Sequence, residues 1–130
     1  MSTRYGFGKQ VDFPFEQAIE RVTAELQKEG FGVLTEIDVA ATLKKKLDAD
    51  MPSYRILGAC NPALAHQALT AEPSIGLLLP CNVVVRQDAA GAVFVEFMDP
   101  LAVLALVENP GVAMLAETVR AKLMRVMQAL

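Results

Sequence analysis

The stretch Ile75-Gly-Leu-Leu-Leu-Pro-Cys-Asn-Val-Val-Val-Arg86, followed by Gln87-Asp-Ala-Ala-Gly91 and Ala92-Val-Phe-Val-Glu-Phe97, decides the fold class. Its second half alternates: Val93, Val95 and Phe97 point one way and Phe94 and Glu96 the other, the two-residue period of a strand with one buried face. Asp88 and Gly91 are turn formers between two β-branched runs, which predicts a hairpin. The first half, Ile75 to Arg86, reads as one long strand. Pro80 cannot donate to a ladder and implies a bulge, an edge or a break within it.

Upstream of this hairpin, strand-like and helix-like segments alternate. Tyr5, Phe7 and Lys9 alternate with Gly6, Gly8 and Gln10, a first strand thinned by glycine. Asp12-Phe-Pro-Phe15 starts a helix whose apolar stripe is Phe15, Ala18, Ile19, Val22 and Leu26, and Gly30 supplies its left-handed stop. Phe31, Val33, Thr35 and Ile37 form a second strand, and Asp38 caps a helix with Val39, Leu43 and Leu47 on its inner side. After a loop at Pro52, Tyr54 to Ala59 is a third strand. Asn61-Pro62 then starts a helix, an amide cap with proline in the first turn. Downstream of the hairpin, Asp99-Pro100 starts a short helix and Asn109-Pro-Gly111 turns the chain. A final helix carries Val112, Leu115, Val119, Leu123, Val126 and Leu130. The prediction is a single α+β domain over residues 1–130, two-layered, with an about five-stranded mixed sheet and helices packed mainly on one face.

Composition narrows the function classes. Net charge is −3 and the one basic run, Lys44-Lys45-Lys46, has no interleaved aromatic residue, so no nucleic-acid partner is expected. The longest apolar run, Ile75 to Val85, is far short of the about 20 residues a spanning helix needs, so no membrane partner is expected either. Hydrophobic residues make up 53% of the chain and mean hydropathy is +0.34. That is more apolar surface than a domain of this size hides alone, and it favours a homodimer. The N-terminus has no basic start or apolar core of an export signal, so a cytoplasmic location with unpaired thiols is the expectation.

Chemistry-bearing residues gather at two Cys-Asn steps. Cys60 ends a strand directly before the helix capped by Asn61. The positive end of a helix favours a thiolate, which could act as nucleophile, metal ligand or persulfide acceptor. Cysteine is also among the most buried residue types, so Cys60 and Cys81 equally fit as core residues. Asn82 has no local capping role and either satisfies backbone at an irregularity or holds a ligand. Asp99 fits a cap and turn. His66, the single histidine, lies six residues past Cys60, but a Cys-His dyad also needs a third group to orient the base. Two cysteines and one histidine lack the paired spacing of a zinc site. The ligand-binding candidates are therefore Cys60, Asn61, Cys81, Asn82 and Asp99. No metal or cofactor is implied, and no phosphate loop or nucleophile elbow is present.

The strings Glu29-Gly-Phe-Gly-Val-Leu-Thr-Glu-Ile-Asp38, Tyr54-Arg-Ile-Leu-Gly-Ala-Cys-Asn-Pro62, Glu72-Pro73, Gly76-Leu-Leu-Leu-Pro-Cys-Asn-Val-Val-Val85 and Asp99-Pro100 resemble a bacterial and archaeal family. It is the family known as domain of unknown function 302, and the resemblance covers nearly the whole chain. The resemblance implies a small α/β domain that tends to dimerise. It carries over no catalytic residue. Three functions fit the sequence: a homodimeric module binding a small molecule or a protein partner near the Cys-Asn steps, a thiol-dependent enzyme or sulfur carrier using Cys60, or a structural subunit whose final helix docks into a larger assembly.

Overall fold

In the computed structural model, which describes residues 3–130, every predicted strand and helix of the N-terminal half is present. Strand β1 (Gly6–Val11) leads into helix α1 (Phe15–Lys28), β2 (Gly32–Asp38), α2 (Val39–Leu47), β3 (Tyr54–Cys60) and α3 (Pro62–Ala71). After a 3-10 turn come β4 (Cys81–Gln87), β5 (Val93–Met98), α4 (Pro100–Leu104) and α5 (Pro110–Gln128). The five strands form one sheet in the order β1-β5-β4-β3-β2.

All four ladders are antiparallel, where the alternation of strands and helices had suggested a mixed sheet. A parallel pair needs a crossover helix buried on the sheet. Helix α2 has no buried residue and α3 has only Ala68, so neither covers the sheet as such a crossover would. Each instead sits within a connection that returns the chain beside the strand it left. The expected inner side of α2, Val39, Leu43 and Leu47, is correspondingly not interior, and Leu47 is 71% exposed.

Helix α1 carries the chain from one edge of the sheet to the other. Its Ala18, Ile19, Val22 and Leu26 meet Leu57, Val83, Val85, Val95 and Phe97 from the strands, and α5 adds Val119, Leu123 and Val126. Phe7 and Phe97, register partners on β1 and β5, stack with ring centroids 5.7 Å apart. The glycines that thin β1 have a steric reason: a Cβ on Gly6 would stand 2.8 Å from the Phe97 carbonyl oxygen. Glycine lets the edge strand press against β5.

A smaller second core lies beyond the end of the sheet, where Ala68, Ile75, Leu104, Val112 and Ala116 pack together. Ile75 belongs to this core because Pro73–Leu78 is a 3-10 turn, not the start of a long strand. Pro73 sits in its first turn, and the strand begins only after Pro80, whose peptide bond to Leu79 is cis. Four side-chain caps fix helix starts, at Asp38, Asn61 and Asp99 as the sequence predicts and at Asn109, which the sequence offers only as a turn. Backbone N–H groups of Ala41, Leu64, Leu101 and Gly111 donate to Asp38, Asn61, Asp99 and Asn109 respectively.

Candidate functional site

The end of β3 and the start of β4 are neighbours, with Ala59 opposite Cys81. This register brings Cys60 and Cys81 to the same end of the sheet, where they line one hollow of about 370 Å³. Helix α3 forms one wall through Ala65 and Leu69, and Leu79-Pro80 another. The third side comes from edge strand β2. Its pairing with β3 slips by one residue between Val33 and Thr35, a bulge that leaves Leu34 unpaired at the hollow's rim. Opposite Thr35 stands Gly58, where an added Cβ would collide with Thr35 and stand 2.9 Å from Pro80 Cγ. Only glycine fits that crossing.

Within this hollow, Cys60 is half-buried and Cys81 buried. Burial pushes the Cys81 thiol up to about 11, and the neighbouring Cys60 adds a smaller push in the same direction. Cys81 is therefore a neutral thiol at physiological pH. The Asn61 amide is already engaged: its Oδ1 accepts from the Leu64 N–H at 3.3 Å and its Nδ2 donates to the Glu29 carbonyl at 3.5 Å. Gly30, at φ +85°, makes this approach possible, since a Cβ there would stand 3.0 Å from Asn61 Nδ2. With its amide occupied, the hollow offers two sulfur atoms, the Thr35 hydroxyl and otherwise apolar walls.

The five candidates do not share one place. Cys60, Asn61 and Cys81 converge. Asn82 lies next to Cys81 on β4, so the strand's alternation turns it to the opposite face, where it lines a separate hollow. Asp99 is taken up elsewhere, capping α4 and accepting from Arg120 Nε on α5 at 3.2 Å. His66 is exposed on α3 and does not line the Cys60 hollow. Sequence reasoning missed Leu34, Thr35 and Leu69 as lining residues. A β-bulge on an edge strand leaves no composition signal here, and which side of α3 faces the hollow depends on packing that no local spacing fixes.

An antiparallel five-stranded sheet backed by two helices, with a second small helical core at one end, defines the class of α+β domain. The chain belongs to the DUF302 family, a domain of unknown function, whose model matches residues 7–130. It is similar to the crystal structure of an uncharacterized conserved protein DUF302 from Bacillus stearothermophilus. The two share 26% identity over 98% of both chains, with a TM-score of 0.90. No curated protein matches the chain.

Proposed function

We propose that this protein is a homodimeric binding module that takes a small, largely apolar molecule in the hollow between Cys60, Cys81, Ala65 and Leu34. The observation that carries the reading is the convergence of two thiols on a hollow of about 370 Å³ whose remaining walls are almost wholly apolar. Ligand sites are typically concave, mostly apolar and furnished with few polar groups, and this volume lies within their usual range. The neutral Cys81 thiol and the occupied Asn61 amide favour binding over acid–base or nucleophilic work there. Exposed Leu34 and Leu69 line the hollow, and Leu77, next in sequence to the lining residue Gly76, is exposed as well; together they supply apolar surface on which a second copy could close.

The test uses 8-anilinonaphthalene-1-sulfonate, whose emission rises in apolar sites. Wild-type protein is expected to bind it, and Ala65→Phe, which fills the hollow, to abolish the enhancement while far-ultraviolet circular dichroism stays unchanged. Equal enhancement in the filled variant would overturn the reading.

A further inference from the structure

The sheet face turned away from α1 and α5 carries a second hollow, of about 540 Å³, that the Cys60 site does not touch. Its floor is built by alternate residues of β4 and β5: Asn82, Val84 and Arg86, with Glu96 and Met98 beside them. Three features define its chemistry. First, the charges on the floor cancel. Arg86 Nε donates to Glu96 Oε1 at 2.6 Å, and the guanidinium lies 4.6 Å from the centroid of the Phe94 ring. A ligand with a net charge would have to compete with this pair, whereas a neutral one meets no uncompensated charge. Second, the Asn82 side chain is exposed and makes no hydrogen bond among the described residues, so its amide presents a donor beside an acceptor. Third, both tyrosines of the chain, Tyr5 and Tyr54, line this hollow and offer flat rings with polar ends.

We infer that this hollow is a second binding site, for a neutral planar heterocycle whose edge carries a donor next to an acceptor, the nucleobase type of ligand. A free amide beside aromatic rings is the arrangement that reads such an edge: asparagine makes paired hydrogen bonds to adenine, and flat rings stack on it. The acidic chain and the neutralised floor exclude a polyphosphate or nucleic-acid backbone from the same role. The ligand is a free base or nucleoside.

Adenosine is the probe. Because the chain has two tyrosines and no tryptophan, protein labelled with carbon-13 tyrosine gives two sets of ring signals, and both report on this hollow. Titration with adenosine is expected to shift both sets saturably. Asn82→Ala is expected to weaken the apparent affinity about tenfold, and Asn82→Asp, which keeps the acceptor and loses the donor, to weaken it as well. Ala65→Phe, in the other hollow, should leave it unchanged. Absence of saturable shifts in the wild type would overturn the inference, as would shifts that survive both Asn82 substitutions. Loss of binding in Ala65→Phe with retention in the Asn82 variants would move adenosine to the Cys60 hollow and overturn it equally.

Discussion

At Cys81 a single side chain joins the core to the site. It closes the apolar interior beneath β4 and also lines the hollow shared with Cys60. Its thiol, held protonated to about 11 in the fold against about 8.5 in an unfolded chain, binds its proton more tightly when folded. The stabilisation linked to that proton is complete below about pH 8.5 and is lost as pH rises through 11. Urea unfolding at stepped pH should show wild type losing about 3 kcal/mol relative to Cys81→Ala across this interval. A difference between the two that does not change with pH would sink the assignment. The capping roles of Asp38, Asn61 and Asp99 were legible in the sequence because a cap depends on residues two or three positions away, whereas Asn109 was read only as a turn. The sequence grouped Cys81 and Asn82 in one site, although the two-residue period of a strand turns them to opposite faces. That Cys60 meets Cys81 was not legible, because it depends on the register between β3 and β4, which no local spacing fixes.

Among the elements, α3 is the one whose position matters most for the Cys60 hollow, and its start is held from two directions. Asn61 caps the helix and reaches the turn after α1 through Glu29. Asn61→Ala removes both contacts and should cost about 1 kcal/mol of stability, measured by urea denaturation. Unchanged stability would mean that the cap is replaced by water without loss. Helix α5 shows where element-scale reading succeeded and where it stopped. The stripe Val112, Leu115, Val119, Leu123, Val126 and Leu130 was visible as a period; Leu115 and Leu130 are half-buried and the other four side chains are buried within the chain. The sequence reading had that stripe apolar enough to pack both inward and against a partner. The structure divides it between two cores of one molecule, with Val112 and Ala116 in the smaller and Val119, Leu123 and Val126 in the larger. Helix α2 is the converse case: Val39, Leu43 and Leu47 follow helical spacing, yet the helix is too peripheral to bury them. Periodicity reports a face, not what covers it.

For the molecule as a whole, the proposed association has a measurable consequence. Edge strand β2 carries Leu34, 67% exposed, and the 3-10 turn carries Leu77, 88% exposed. Sedimentation should give twice the 14.0 kDa chain mass for the wild type and a single chain for the doubly substituted Leu34→Lys, Leu77→Lys protein. A wild-type monomer, or a dimer indifferent to both lysines, would remove the proposed interface. The α+β class and strand count were readable from alternation and turn residues. The antiparallel pairing was not, because a helix between two strands fits either a crossover or a decorated hairpin, and burial of the helix decides which.

The order β1-β5-β4-β3-β2 places the first two strands of the chain on the two outer margins of the sheet. Their waits differ: β2 pairs with the next strand, β3, whereas β1 has no partner until β5, the last strand, has been made. The hairpin of β4 and β5 closes over five residues and needs nothing earlier. The other four strands lie side by side in the order they are synthesised, so β1 alone joins the sheet out of turn. During translation the N-terminal strand stays unpaired until nearly three-quarters of the chain has emerged from the ribosome.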